Sequence, residues 1–215
     1  VVHTRDKNND GEFLHKLSLD SDTYHYHAYQ WNGAYPKKRQ WSLENLPLKH
    51  EWVFMLDADE EVTDDFLNEL YSINNSVLSE PSSYAGCFVR GAYTLKGQIL
   101  RHGFQNNKLA LFRRSCMTYP IIDDLECNAM GEIEGHYQPV FKNQDDLSLC
   151  LYQMRKPILH HAFSCRKDNL ARHKKYAKWE AFMIRNKLYP TDPVLHRRLM
   201  KSVFQLLPCR AEIMF

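Results

Sequence analysis

No stretch of the 215-residue chain holds 18 or more consecutive apolar residues, so nothing in it reads as a membrane-spanning helix. Nor does it open on the basic-then-apolar pattern of a signal peptide, which leaves export without support. No two of the six cysteines stand in C-x-x-C spacing, and this removes the usual sequence argument for a zinc site or a redox pair. Scattered at Cys87, Cys116, Cys127, Cys150, Cys165 and Cys209, they read as reduced, mostly buried thiols of a cytosolic protein. Internal repeats and low-complexity tracts are missing too. What is there is a 44% hydrophobic chain, long enough to bury a full core as one globular domain with an appended helical segment.

Charge is spread unevenly. The formal net charge is +2, yet from Leu151 onward 14 Lys and Arg face 4 Asp and Glu, while residues 1–150 carry 14 against 22. The basic end is either a solvated helical face or a surface that meets anionic lipid or phosphate. In "LHRRLMKSVFQLLPCR", Leu195, Leu199, Val203, Phe204 and Leu207 can share one helical face, flanked by Arg197, Arg198 and Lys201. Such a helix suits either an anionic bilayer surface or the domain's own core. The start at Val1 and the stop inside "RAEIMF" read as the ends of a fragment, with more chain expected on both sides.

Between the ends, helical and extended patterns alternate. "PKKRQWSLENL" places Pro36 at a favourable first helical position, with Trp41, Leu43 and Leu46 on one side and Pro47 as the stop. The run 52–56 predicts a strand buried on both faces. Thr63 is placed to cap a helix whose apolar face is Phe66, Leu70 and Ile73 and whose first turn carries Asp64 and Asp65. "YAGCFVRG" and "KLALFRR" predict further strands. Leu170, Ala177, Ala181, Ile184 and Leu188 mark an amphipathic helix over 168–188.

The stretch "EWVFMLDADEEVT" drives that apolar strand into four acids, Asp57, Asp59, Glu60 and Glu61. A strand's carboxyl end is where ligands bind in open α/β sheets, and residues two apart on a strand point the same way. Asp57 and Asp59 are therefore expected to face one site, where they would repel unless a cation or a donor-rich ligand lay between them. A divalent metal with a diphosphate meets that need. Capping of the following helix would also account for the acids.

"KKRQWSLENLPLKHEWVFMLDADEEVT" resembles family 2 glycosyltransferases of the GT-A fold, in particular bacterial members that build lipopolysaccharide core, capsule and colanic-acid-like polymers. "RHGFQNNKLALFRR", "MGEIEGHYQP", "PILHH" and "RHKKYAKWEA" look like later blocks of the same subfamily in the same order, so the resemblance covers roughly residues 30–188. It implies a Rossmann-like, mostly parallel sheet flanked by helices over 1–165, lacking a first strand that would precede Val1. A basic helical extension would follow over 166–215. The implied activity is metal-dependent, inverting transfer of a sugar from a nucleotide donor to a glycan or lipid-linked acceptor, in the cytoplasm or on the inner face of its membrane. Mg²⁺ or Mn²⁺ is the implied cofactor, and nucleic acid is not an expected partner.

Residue by residue, the resemblance assigns Asp57 to the nucleotide and Asp59 to the metal. Arg39 and Asp6 become further nucleotide contacts, and His160 a further metal ligand, with His161 beside it. Arg101, His102 and Gln105 fall on the acceptor side. The transfer needs a carboxylate to take the acceptor hydroxyl's proton. "IIDDLECNAMGEIEGH" supplies Glu134 as first candidate, with Asp124 and Glu132, and also Asp123, beside it. Two other classes stay open: a haloacid-dehalogenase-like phosphohydrolase, in which Asp57 would be the nucleophile, and a non-catalytic nucleotide-sugar or carbohydrate-binding module.

Overall fold

A computed structural model describes residues 2–4, 23–79, 83–102, 106–127, 131, 133–134, 137–143, 145–161, 166–188 and 194–206. The chain is mixed α/β, built around a curled mixed sheet. The elements that position the site are β3 (Trp52–Phe54), β4 (Glu60–Glu61), β5 (Tyr84–Leu95), β6 (Gln98–Ile99), β7 (Asn106–Arg113), β10 (Cys150–Gln153) and β11 (Ile158–His160). Before them, β1 (Val2–Thr4) and β2 (Tyr26–Ala28) form a separate parallel pair, and β8 (Met117–Thr118) with β9 (Val140–Phe141) forms an antiparallel one. The helices are α1 (Lys38–Asn45), α2 (Asp64–Ile73), α3 (Arg166–Asn186) and α4 (Leu195–Leu206).

The twelve-residue β5 is the hub. Along one edge it pairs antiparallel with β7, which in turn pairs antiparallel with β3. Along the other edge β10 covers its first half and β11 its second, both parallel, with Met154–Pro157 bulging between them. The order β3-β7-β5-β11-β4 is thus mixed rather than mostly parallel. Chain economy explains the difference. β5 turns back into β6 through two residues, Lys96 and Gly97, both at positive φ (51° and 77°), which is the geometry of a tight hairpin. Only ten residues separate the end of β5 from β7, too few for a parallel crossover.

Residues of the hub strands divide between two cores. Phe66 and Ile73 of α2, with Val77, pack on Cys87, Val89, Ala110, Leu111, Met154 and Ile158. Ala85, Phe88, Leu109 and Phe112 meet Met117, Tyr119, Ile122, Tyr137 and, from α3, Trp179 and Met183. Gly86 lets β5 and β7 approach: a Cβ there would sit 2.9 Å from Leu109 Cδ1 and 3.2 Å from the Leu111 carbonyl oxygen.

Local expectations hold in several places. Thr63 caps α2 by accepting from the Phe66 N–H at 3.1 Å, and Asp64 and Asp65 occupy its first turn. Strands form where "YAGCFVRG" and "KLALFRR" predict them. Three expectations shift. α1 begins at Lys38, after a cis Tyr35–Pro36 bond, so Pro36 lies outside the helix. β3 is three residues long and half-buried. The buried side of α3 is Trp179 and Met183, whereas Leu170, Ala177 and Ala181 face solvent, because the two larger side chains fill the space over β5 and β7. Among the described cysteines Cys87 and Cys116 are buried, Cys127 is half-buried and Cys150 is exposed, all as free thiols. Cys165 and Cys209 lie outside the described residues.

Trp179 is fully buried. Trp179→Ala should therefore lower unfolding stability by about 3–5 kcal/mol, read as a lower urea midpoint at unchanged slope. Trp179→Phe, which loses the indole N–H but keeps a ring, should fall between the two.

Candidate functional site

The site forms where β3 runs out. The strand stops at Phe54, Met55 still donates its N–H to the Ala110 carbonyl at 2.8 Å, and the chain then leaves the sheet. Residues 57–60 make a turn closed twice: the Glu60 N–H donates to the Asp57 carbonyl at 3.0 Å, and the Asp57 N–H donates to Glu60 Oε2 at 2.9 Å. Strand alternation therefore does not aim Asp57 and Asp59. They lie in a turn, and each has its own cationic or imidazole partner.

Asp57 sits between two cations. Arg39 Nη2 donates to Oδ1 at 2.8 Å and Lys108 Nζ to Oδ2 at 2.9 Å. Lys108 also donates to Glu60 Oε2 at 2.5 Å, and Glu60 is buried. Register explains why Lys108 is there. Trp52 pairs with Arg113, Val53 with Phe112 and Phe54 with Leu111, so β3 runs toward the end of β7 at which Lys108 stands, and the turn that follows meets it there. Burial works against the Asp57 carboxylate, but Arg39 and Lys108 outweigh it and hold its pKa down at about 2. The Arg39 guanidinium, 5.9 Å from the Tyr119 ring centroid, loses water on burial yet stays firmly charged because of Tyr119 and Asp57.

Arg39 is aimed by its helix. Lys37 at the α1 N-cap provides no side-chain cap. Glu134 does so from far along the chain: its two oxygens accept from the Arg39 and Gln40 N–H groups, each at 2.9 Å. A carboxylate there satisfies two orphan donors and meets the positive end of the helix dipole. Glu134 is 2% exposed, with both oxygens engaged. Asp124, 1% exposed, is engaged as fully. It accepts from Lys37 Nζ at 2.8 Å, Trp179 Nε1 at 2.9 Å and the Tyr35 hydroxyl at 2.5 Å. Asp123 and Glu126 in the same segment are exposed.

Asp59 meets His160. His160 Nε2 lies 3.4 Å from Asp59 Oδ2, the imidazole stacks on Tyr93 with centroids 4.9 Å apart, and Nδ1 is buried with no partner among the described residues. The hydrogen bond from His160 leads the influences that hold the Asp59 carboxyl below its usual range. β4 pairs antiparallel with β11, setting His160 opposite Glu60, and the His161 N–H reaches the Asp59 carbonyl at 2.7 Å. His161 itself bridges Thr94 Oγ1 at 2.8 Å and Glu61 Oε2 at 2.9 Å.

A carboxylate oxygen and an imidazole nitrogen converging at one point suit a divalent cation. No group of three His, Cys, Asp or Glu among the described residues could hold such an ion. The pair fits only a cation that takes its other ligands from water or a bound diphosphate, as Mg²⁺ commonly does. Arg101 and His102 are exposed just beyond the β5–β6 hairpin, whose Leu100 N–H bonds the Tyr93 carbonyl at 2.8 Å, near the His160 stack. Asp6, Gln105 and Glu132 lie outside the described residues. Sequence reading missed Lys108 and Glu60 as site residues. The available signal was a lysine heading the apolar run of a strand next to one that ends in acids. A separate polar groove of about 280 Å³, lined by Gln40, Glu44, Glu51, Arg114 and Lys142 among others, opens near the opposite end of β3. No protein-family model matches the chain, and no curated protein matches it.

Asp57 should register in acid unfolding. Its folded pKa is depressed, so its stabilising contribution is complete above the ordinary carboxylate range near 4 and is lost as pH falls toward about 2. Asp57→Asn should flatten the stability–pH curve in that window and leave its shape near neutrality unchanged. Solvent screening of a side chain that is 39% exposed keeps the size modest.

Proposed function

We propose that the chain is a GT-A type glycosyltransferase domain that moves a sugar from a nucleotide donor to a hydroxyl of a glycan or lipid-linked acceptor. The observation that carries this reading is the pairing of Asp59 with His160 beside the Asp57–Arg39–Lys108 cluster. It puts two candidate metal ligands next to two cations at the carboxyl end of a sheet strand, where a diphosphate would need both. Sequence resemblance over roughly residues 30–188 supports the same reading.

In this reading Asp57, oriented by its two cations, accepts a hydrogen bond from a ribose hydroxyl. Arg39 and Lys108 lend positive charge to the diphosphate as the sugar departs. Asp59 and His160 would hold a divalent cation, which supplies Lewis-acid stabilisation of the leaving nucleoside diphosphate when bound. Proton removal from the acceptor needs a carboxylate that the acceptor hydroxyl can reach. Glu134 and Asp124 are 2% and 1% exposed and hold donors on both oxygens, so they act as positioning residues for α1 and Arg39, and the base falls to an exposed acid of the same segment, Asp123 first. Arg101 and His102 serve the acceptor side.

Binding of UDP-, GDP-, CMP- and dTDP-sugars, each with and without Mn²⁺, tests the class and names the donor. The expected result is metal-dependent affinity for one of them, weakened about tenfold or more by Asp59→Ala. Mn²⁺-independent binding, or hydrolysis of an aryl phosphate in place of sugar transfer, would overturn the reading.

Glu134→Gln separates positioning from catalysis. The amide keeps one acceptor and turns an NH₂ toward a helix N–H, so a loss of about 1–3 kcal/mol in stability is expected, with weaker donor binding alongside. Unchanged stability and donor affinity with turnover reduced about 10²-fold or more would return the role of base to Glu134.

A further inference from the structure

Two buried polar atoms of the site have no partner among the described residues, and they belong to residues that stand directly opposite one another. One is His160 Nδ1 and the other Glu60 Oε1. β4 and β11 pair antiparallel with Glu60 against His160, and the bond from the His161 N–H to the Asp59 carbonyl flanks that pair. This makes it the closely spaced kind, with Cα atoms about 4.5 Å apart and both side chains on one face of the sheet. The other polar atom of each side chain is engaged. Glu60 Oε2 accepts from Lys108 Nζ and from the Asp57 N–H, while His160 Nε2 lies 3.4 Å from Asp59 Oδ2.

An imidazole whose Nε2–H donates to Asp59 carries a bare lone pair on Nδ1, and a carboxylate oxygen is likewise an acceptor only, so the two orphans cannot bond. Burial makes both costly. The other neutral tautomer, with its proton on Nδ1 and its lone pair on Nε2, removes the conflict. We propose that Glu60 is the positioning residue that sets His160 for cation binding: Glu60 Oε1 accepts from Nδ1–H, and the Nε2 lone pair is presented beside Asp59. In the change Nε2 releases its proton, Nδ1 takes one up, and the ring stays neutral. An imidazole that ligates a metal commonly donates its other N–H to a carboxylate, which fixes its tautomer and direction. Glu60 suits that role because its side chain is fully buried and its second oxygen is already held. One carboxylate thereby ties the Asp57 cluster to the Asp59–His160 pair. A rival acceptor is Asn106, half-buried across Gly91: a Cβ at Gly91 would stand 3.6 Å from Asn106 Cβ and 3.6 Å from His160 Nδ1. A neutral amide is the weaker acceptor of the two. The inference rests on the reading of Asp59 and His160 as a cation site.

Nitrogen NMR of the imidazole at about pH 8, with the His160 signals identified by their loss in His160→Gln, reads the tautomer without any assay of transfer. Mg²⁺ should move His160 from the Nε2–H to the Nδ1–H form. Glu60→Gln should prevent this: its amide oxygen must face Lys108 and the Asp57 N–H, which leaves the NH₂ to donate to Nδ1 and hold the proton on Nε2. Mn²⁺ binding, read by EPR of the free ion, should weaken about 10- to 100-fold in the same variant, and Asn106→Ala should change neither reading. A parent protein that keeps the Nε2–H form in saturating Mg²⁺ would overturn the proposal, whether or not any variant folds. So would Glu60→Gln with the parent's Mn²⁺ affinity, or with weaker affinity and an unchanged tautomer, which would make Glu60 a direct ligand. Loss of the Nδ1–H form in Asn106→Ala would give the role to Asn106 and overturn it equally. Asp59→Ala separates the two levels. If it leaves Mn²⁺ affinity intact, the cation site and the role of Glu60 fall together; if it weakens Mn²⁺ binding and Glu60→Gln does not, the site stands and only the role of Glu60 is lost.

Discussion

The buried carboxylate of Asp124 joins two parts of the chain that are remote from it and from each other in sequence. Lys37 reaches it from the approach to α1, Trp179 from α3, and Tyr35 from the turn before Lys37. Taking a lysine and an aspartate out of water is costly, and the cost is offset only because every oxygen lone pair in reach has a donor. Removing one partner would leave a stranded charge, at about 3–5 kcal/mol in comparable buried pairs. That asymmetry makes the arrangement of α1 against α3 all-or-none. It also places the α1 N-terminus where Glu134 can cap it and Arg39 can point at Asp57.

The site inherits this rigidity. Two buried carboxylates, Asp124 and Glu134, hold the helix that holds the arginine. Asp57 therefore meets a guanidinium whose backbone is already fixed. A preorganised cation of this kind contributes more to stabilising developing negative charge than a mobile one, because no reorganisation is needed when the charge appears. Lys108 is fixed differently, by sheet register, and Glu60 shares it with Asp57. The two cations of the site thus rest on independent supports, one helical and one from the sheet.

On the other edge of the hub strand, β11 delivers His160 to Asp59 and His161 to Glu61. Both contacts depend on β4 pairing antiparallel with β11 directly after the acidic turn. Tyr93 of β5 stacks on His160, so the imidazole is constrained by a ring on one strand and a carboxylate on another. The α4 helix stands apart from this economy. Arg197 on it lies over the Phe88 ring, while Leu195, Leu199, Met200 and Val203 are exposed.

Much of the local structure was legible in residue order. The Thr63 cap, the strands 84–95 and 106–113 and the presence of helices over 166–186 and 195–206 follow from capping chemistry and from local patterning, which act within a few residues, although the side of the first helix that is buried differs from the one its apolar spacing marks. That Asp57 and Asp59 would need partners was legible as well, because acids clustered after an apolar run ask for cations; Arg39 and His160 were named through the resemblance alone. Which acid meets which partner was not legible. Arg39 and Asp57 are 18 residues apart, Lys108 and Asp57 51, and Gln40 and Glu134 94. Those meetings depend on the register of β3 against β7 and on the antiparallel return of β7 along β5, which no local propensity encodes. Burial was decided at the same level. Residue order alone leaves Glu134, Asp124 and Asp123 as equivalent acids, and only packing against α1 and Trp179 makes two of them buried supports and leaves the third open to solvent.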